Sequence, residues 1–188
     1  MRVVILAAGL GTRVRGFSPT PKPLIVVDGL PVIAHIIKSC NLNGIAPIVV
    51  AWENVCSGIP NGLDFQSIHI SQLQRGPAMS ALHAAAVLSQ DEDVLFLDCD
   101  AKQTIPFDSI SQLRESGYSC AITTAITARQ TDAYLNVCTT AMDVVALVEK
   151  RPVSHTVATG GYWFSTLHGF QLAAFAAATI RSTGEIYM

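Results

Sequence analysis

The apolar residues of this chain fall into short blocks separated by turn residues, not into one long run. Three blocks are continuously apolar and rich in β-branched residues, which is typical of strands buried on both faces of a parallel sheet. These blocks are VVILAA at 3–8, APIVVAW at 46–52 and DVLFLD at 93–98. A fourth segment, FQSIHISQ at 65–72, alternates between apolar and polar residues and is predicted to be a further strand.

The segments between these strands repeat their apolar residues at helical spacing. This spacing predicts helices in LPVIAHIIKSCNLNG (30–44), PAMSALHAAAVLSQ (77–90), PFDSISQLRESG (106–117) and FQLAAFAAATIRST (170–183). Strands are predicted in YSCAITTAIT (118–127) and TGGYWFST (159–166), with two more around a turn in YLNVCTTAMDVVALVEKRP (134–152). The alternation predicts one three-layer α/β domain over residues 1–188, with a less regular second half.

The composition is that of a folded protein. Hydrophobic residues make up 50% of the chain and charged residues 14%, which favours a globular domain over a disordered one. The apolar stretch FQLAAFAAATI has 11 residues, too few to span a bilayer, and the apolar part of MRVVILAAGLG is too short for a secretory signal. Five cysteines without a CxxC pair indicate neither a disulfide framework nor a zinc site, so a cytoplasmic location is expected.

The distribution of charge is more informative than its total. The net charge of −2 predicts no partnership with nucleic acid or with a membrane surface. Residues 1–27, however, contain four cations and no acid, and three of these cations lie in GLGTRVRGFSPTPKPL at 9–24. Glycines that follow a buried strand let backbone N–H groups approach phosphate oxygens. This stretch is therefore predicted to bind a small polyanion.

Two common phosphate-binding motifs do not fit the stretch. The dinucleotide fingerprint GxGxxG requires glycine where the chain has Val14, and Asp28, which could imitate its ribose ligand, is more simply part of a DG turn. The GxxxxGK[ST] loop requires lysine where the chain has Phe17. Arg13 and Lys22 are the cations left to explain, and prolines at 19, 21 and 23 restrict the backbone around Lys22, which limits the entropy lost when it binds a ligand. An ordinary cationic surface loop is the alternative.

LAAGLGTR, followed eight residues later by PKPL and then by VVDGLPVIAHII, closely resembles the signature of the sugar-1-phosphate nucleotidyltransferases, the nucleotide-sugar pyrophosphorylase family. The resemblance implies a Rossmann-like nucleotidyltransferase domain with a mostly parallel mixed sheet. It also implies that Arg13 neutralises the β- and γ-phosphates of a nucleoside triphosphate and that Lys22 lies beside the α-phosphate. Backbone contacts to base and ribose are expected from the neighbouring positions Leu6, Ala7, Ala8, Gly9, Gly11 and Thr12.

Two aspartates, Asp98 and Asp100, follow the strand DVLFL in the sequence DCD. Carboxylates at the carboxyl end of a parallel strand face the crevice in which α/β sheets bind ligands, and their oxygens suit Mg²⁺. The resemblance implies a metal-binding aspartate here, which we assign to Asp100 with Asp98 in support. An ordinary turn rich in aspartate is the alternative.

SQLQRGPAMSALHAAA at 71–86 resembles the segment with which the family reads the base. The resemblance implies that Gly76 and a nearby polar residue contact the base. Gln72 and Gln74 are both suitable readers, and the sequence leaves the choice between them open. A simple helix start at Gly-Pro is the alternative.

The second half of the chain supplies candidates for the second substrate. LVEKRP at 147–152 resembles the family's Glu-Lys-Pro signature, which implies that Glu149 contacts sugar hydroxyls and Lys150 the sugar phosphate. VATGGYWFS resembles a strand whose glycine backbone faces the sugar, so either Gly160 or Gly161 takes this role. The chain departs from the family in the insertion of Arg151 and in ending at GEIYM before a second metal-binding aspartate, which leaves truncation at the carboxyl terminus open.

The expected reaction is transfer of a nucleotidyl group from a nucleoside triphosphate to a sugar-1-phosphate with Mg²⁺ as cofactor, giving a nucleotide sugar and pyrophosphate. The sequence is also compatible with two alternative functions. The acceptor could instead be phosphocholine or another small phosphomonoester, or the protein could be a non-catalytic nucleotide-sugar-binding subunit. The nucleobase, the sugar and the formation of a homo-oligomer are left open by the sequence.

Overall fold

A computed structural model describes residues 1–9, 11, 16–72, 76–141, 143–149 and 151–180, with residues 149 and 176–180 described by their backbone alone. The chain divides into two compact units. The first consists of Met1–Ala121 and of the chain from Tyr162 onward, and the second consists of Ile122–Gly161. The single domain expected over residues 1–188 stays a prediction.

The elements follow one another in the alternation that the sequence predicts. In chain order they are β1 (Arg2–Ala7), a 3-10 turn (Lys22–Leu24), β2 (Val26–Val27), β3 (Leu30–Pro31), α1 (Val32–Leu42), β4 (Ile48–Ala51), α2 (Glu53–Cys56), β5 (Gln66–His69), α3 (Pro77–Ala85), β6 (Val94–Asp98), α4 (Phe107–Glu115), β7 (Cys120–Ile126), β8 (Leu135–Thr140), β9 (Asp143–Glu149), β10 (Thr156–Phe164) and α5 (Leu167–Ile180). In the described part of the chain, no helix has the length and apolar character needed to cross a bilayer.

Four parallel strands form the centre of the first unit, in the order β5, β4, β1, β6. The register places Leu6 of β1 opposite Val50 of β4 on one side and opposite Asp98 of β6 on the other. Because the strands are parallel, the segments that follow β1, β4 and β6 all leave the sheet at its carboxyl edge. The mostly parallel sheet expected from the sequence is confirmed.

Side chains of β1 alternate between two hydrophobic cores, one on each face of the sheet, as strand geometry requires. Val3 and Ile5 belong to the core that α1 and α4 cover, which includes Ile33, Ile36, Ile37 and Ile110. Val4 and Leu6 belong to the core that α3 and α5 cover, which includes Ala81, Ala84, Leu167 and Phe170. Helices therefore pack on both faces of the sheet, and the predicted three-layer α/β arrangement is confirmed.

A two-residue turn joins β2 and β3, which pair antiparallel. Asp28 and Gly29 both have positive φ values, 48° and 80°, as a type I′ hairpin turn requires. Lys102 Nζ also donates a hydrogen bond to Oδ2 of Asp28 at 2.8 Å. This ion pair lowers the pKa of the Asp28 carboxyl. The interpretation of Asp28 as part of a turn is confirmed.

The second unit contains the antiparallel pair β8 and β9, which confirms the two strands predicted around a turn at 134–152. Their register shifts between Cys138 and Thr139, where β9 has one extra residue. Val157 of β10 lies opposite Asn136 of β8. The chain returns from β9 to β10 through residues 151–155, directly after the candidate sugar-phosphate segment.

Asn136 is a fully buried polar residue whose side chain links the segment before β8 to the connection between β9 and β10. Its side-chain amide donates to the carbonyls of Thr131 at 2.9 Å and Tyr134 at 3.2 Å, and its side-chain oxygen accepts from the N–H of Ser154 at 3.1 Å. A buried amide with all of these partners satisfies backbone groups that would otherwise be desolvated and unpaired.

We predict that Asn136→Ala lowers the free energy of unfolding by about 2 kcal/mol or more, because three backbone groups lose their partner inside the unit. Denaturant unfolding measures the change, and hydrogen exchange locates it in residues 131–157. Asn43→Ala is the matched control, since the side-chain amide of the exposed Asn43 also donates to a backbone carbonyl, that of Ser39 at 2.9 Å. A loss no larger than that of the control would contradict the role given to Asn136.

Candidate active site

The backbone that leaves β1 borders open space at the carboxyl edge of the sheet. Apart from its chain neighbours, no heavy atom of the described residues lies within 4 Å of a Cβ placed on Gly9. Gly11 has a φ of 60°, in the left-handed region that favours glycine, and a Cβ placed there would lie 3.3 Å from the Cβ of Lys22. Gly11 therefore lies directly beside Lys22.

Lys22 opens the 3-10 turn between Pro21 and Pro23, and Pro23 is buried. Its Nζ donates to Oδ2 of Asp100 at 2.9 Å, so the structure joins two residues that are 78 positions apart in the chain. The two side chains are 36% and 51% exposed. An ion pair this exposed contributes little to stability, and both groups remain accessible to a ligand.

Asp98 and Asp100 lie at the end of β6, and their charges act on each other. Burial and the negative charge of Asp100 raise the pKa of Asp98 to about 7, while the charge of Lys22 and a hydrogen bond from Tyr162 oppose the shift. Gln103 donates through Nε2 to the Asp98 carbonyl at 3.4 Å and supports the loop after the strand. Because the two carboxylates repel each other, a cation bound between them would lower the free energy of the site.

The chemistry of these donors fits Mg²⁺. Magnesium is commonly bound through one or two carboxylates together with water and substrate phosphates, and Asp98 and Asp100 supply two such groups. Among the described residues there is no group of three or more His, Cys, Asp and Glu side chains that could hold a metal by itself. The remaining ligands would therefore come from phosphate oxygens and water.

Gly76 forms the N-cap of α3 with a φ of 101°, and Pro77 occupies the first helical turn. This arrangement needs glycine, because residues with a side chain rarely adopt such a backbone conformation. Gln72 follows β5 and is exposed. Gln74 lies outside the described residues, so the choice between the two glutamines stays open.

Glycines 160 and 161 are adjacent in β10, but each position requires glycine for a different reason. A Cβ on Gly161 would lie 2.6 Å from Oγ1 and 2.7 Å from Cγ2 of Thr123. Thr123 Oγ1 also accepts hydrogen bonds from the N–H of Gly161 at 2.9 Å and from Thr159 Oγ1 at 2.7 Å. Gly160 instead has a φ of 86° inside β10. Gly161 is thus required by packing, and Gly160 by its backbone conformation.

The other candidate residues lie in or next to β1, at the end of β9, or outside the described residues. Leu6 and Ala7 lie in β1 with buried side chains, and Ala8 follows them. The backbone of Glu149 ends β9, opposite Leu135. Four candidates lie outside the described residues: Thr12, Arg13, Gln74 and Lys150. The segment GEIYM at 184–188 also lies outside them.

Sequence reasoning missed three residues that support this site or the strand of Gly160. The indole N–H of Trp52 donates to the Ala8 carbonyl at 2.9 Å, Tyr162 bonds Asp98, and Thr123 packs on Gly161. Trp52 and Tyr162 have positional signals, because Trp52 is the last residue of the strand predicted at 46–52 and Tyr162 belongs to the GGYW segment. Thr123 has no comparable signal.

Gly11, Lys22 and the paired aspartates lie at the carboxyl edge of a parallel sheet, an arrangement that fits an α/β nucleotidyltransferase. The family model of the MobA-like NTP transferase domain matches residues 3–149, and the chain belongs to this family. Family and fold support nucleotidyl transfer as its chemistry.

Several solved structures share the fold. A proposed glucose-1-phosphate thymidylyltransferase from Bacillus anthracis, solved in complex with a sucrose, has a TM-score of 0.76 at 17% identity, covering 91% of this chain and 73% of the other. The inositol-1-phosphate CTP transferase from T. maritima has a TM-score of 0.74 at 16% identity, covering 99% and 77%. A UDP-glucose pyrophosphorylase complexed with UDP-glucose has a TM-score of 0.73 at 15% identity, covering 99% and 83%. At these identities the comparisons show the fold alone.

We predict that Gly161→Ala destabilises the protein by about 1–3 kcal/mol, because the added methyl group overlaps Thr123. The double variant Gly161→Ala with Thr123→Ala removes the two closest atoms and should recover part of the loss. Gly16→Ala is the control, since nothing lies within 4 Å of a Cβ there. Thermal unfolding compares the variants. Equal melting temperatures for Gly161→Ala and Gly16→Ala would rule out the overlap.

Proposed function

We propose that the protein joins a nucleoside triphosphate to a sugar-1-phosphate, with Mg²⁺, and releases a nucleotide sugar and pyrophosphate. The observation that supports this most is the 2.9 Å contact between Lys22 and Asp100, which brings the proposed α-phosphate cation and the proposed metal-binding carboxylate to one place. Membership of the NTP transferase family supports the nucleotidyl donor. The names of two fold neighbours, which refer to glucose-1-phosphate and UDP-glucose, support the sugar acceptor.

The proposed mechanism is an in-line attack by a phosphate oxygen of the acceptor on the α-phosphorus of the triphosphate. This oxygen is already an anion, so no general base is needed, and catalysis depends on holding two polyanions in line. Lys22 binds the α-phosphate and Arg13 the β- and γ-phosphates, while the Leu6–Gly11 backbone binds base and ribose. Asp98 and Asp100 would hold Mg²⁺, which when bound supplies positive charge against the phosphates.

The acceptor is proposed to bind in the second unit. Glu149 contacts the sugar hydroxyls, Lys150 contacts the sugar phosphate, and the backbone at Gly160 faces the sugar. Gly160 is preferred to Gly161 for this role because the N–H of Gly161 already donates to Thr123 and its Cα faces the threonine side chain. Gly161 then acts by leaving room for the side chain of Thr123 beside β10.

A different acceptor is the second candidate. The fold neighbour from T. maritima is named for inositol-1-phosphate, which is a phosphomonoester of a cyclic alcohol rather than a sugar-1-phosphate. This neighbour favours the alternative in which a small alcohol phosphate, such as phosphocholine, attacks the triphosphate. The donor site and the chemistry at the α-phosphorus would be the same.

We predict that Lys22→Ala and Asp100→Asn each lower kcat by about 100-fold or more, because each removes a group that balances charge in the transition state. Lys102→Ala and Asp28→Asn are matched controls, since Lys102 and Asp28 form an equally short ion pair at 2.8 Å with similar exposure. The controls should retain near-normal kcat and all four variants should stay folded by circular dichroism. Near-normal turnover in Lys22→Ala or Asp100→Asn would refute the assignment.

We predict that pyrophosphate release requires both a nucleoside triphosphate and a sugar-1-phosphate when the protein is assayed with Mg²⁺. The assay crosses ATP, CTP, GTP, UTP and dTTP with glucose-1-phosphate, mannose-1-phosphate, inositol-1-phosphate and phosphocholine. Release with only the last two acceptors would establish the second candidate instead. Triphosphate binding without release under any combination would indicate a non-catalytic binding subunit.

A further inference from the structure

Trp52 occupies a defined place next to the nucleotide candidates. It directly follows β4, whose last residue, Ala51, pairs with Ala7 at the end of β1. The parallel register therefore brings Trp52 level with Ala8, and its indole Nε1 donates to the Ala8 carbonyl at 2.9 Å. The ring also packs against both hydrophobic cores of the first unit, which fixes the position of the donor.

This hydrogen bond sets the orientation of the peptide between Ala8 and Gly9. In a planar trans peptide the carbonyl and the following N–H point in opposite directions. Holding the Ala8 carbonyl against the indole therefore turns the Gly9 N–H away from Trp52. Gly9 is exposed and borders open space, and glycine by itself would allow this peptide to rotate.

The bond also has an electrostatic consequence. The oxygen of a peptide carbonyl is negatively polarised, so an Ala8 carbonyl turned towards a bound nucleotide, which is a polyanion, would be unfavourable. The indole N–H is a donor only, and it satisfies that carbonyl on the side of the cores. With the carbonyl held there, the other end of the peptide presents a positively polarised N–H, which is the group that favours an anion.

We propose that Trp52 is a positioning residue for the nucleoside triphosphate: through the Ala8 carbonyl it presents the Gly9 N–H to the ligand. The proposal rests on the proposed function, namely that a triphosphate binds at the turn after β1. It adds a residue from a different strand, which acts by orienting the backbone and makes no contact with the reacting atoms.

Trp52→Phe tests the proposal, because it keeps an aromatic ring between the cores and removes the donor. We expect the Kd for the Mg²⁺ complex of the tightest-binding triphosphate among ATP, CTP, GTP, UTP and dTTP to rise about three- to tenfold, as the loss of one hydrogen bond implies. Calorimetry measures the Kd. The KM for the acceptor in the pyrophosphate assay should stay unchanged, which separates positioning of the nucleotide from general damage.

Trp163→Phe is the matched control. Trp163 is buried in the same unit, and its Nε1 lies 3.5 Å from Oδ2 of Asp93, away from the turn after β1. This variant should lose stability without a change in Kd. A rise in Kd of the same size in both variants would show a structural effect and overturn the proposal, as would an unchanged Kd in Trp52→Phe.

A nuclear magnetic resonance experiment gives a second readout that does not require turnover. The chain has two tryptophans, so its ¹H–¹⁵N spectrum has two indole N–H signals, and Trp52→Phe identifies one of them by its loss. Triphosphate with Mg²⁺ should shift the Trp52 signal more than the Trp163 signal, and a larger shift at Trp163 would overturn the proposal. If the wild-type protein binds none of the triphosphates, the proposed function itself fails and the role of Trp52 fails with it.

Discussion

The contact between Lys22 and Asp100 joins the two segments from which the candidate site is built. At the surface such an ion pair adds little to stability, so its importance lies in where the fold places the two charges. That placement follows from the parallel register, which sets Leu6 of β1 opposite Asp98 of β6 and makes both strands end at one edge. The chemistry of the site thus depends on the pairing of two buried strands whose own side chains lie mostly in the cores.

The sequence predicted the large elements well, for physical reasons. The strands β1, β4 and β6 are buried on both faces, and their continuous apolar runs show this directly. The hairpin of β2 and β3 and the short helix α2 could not be found in the same way, because two or four residues are too few to display a period. The turn at Asp28 and Gly29 was the exception, because Asp and Gly are residue types that readily adopt the positive φ values of a type I′ turn.

The sequence allowed a candidate site to be proposed where the chemistry is encoded locally, but it gave no information where the site depends on tertiary contacts. A glycine-rich turn, a lysine between prolines and two aspartates after a strand can all be recognised within a few residues. Trp52 and Thr123 act instead through hydrogen bonds to backbone groups of distant segments, and no periodicity marks them. The same limit applied to the glycines of β10, because Gly161 is distinguished from Gly160 by its contact with Thr123 and by the positive φ of Gly160.

Burial of the stretch from Leu6 to Ala8 limits what this part of the chain can discriminate. The three side chains are between 1% and 6% exposed, so the stretch offers a ligand mainly its peptide groups. Peptide groups are the same whatever the residue, so a substitution among these three residues changes the packing of the sheet more than the hydrogen-bonding groups that the stretch offers. Evolution can therefore vary the side chains around this edge of the sheet while the inner strand keeps both its packing and its backbone groups.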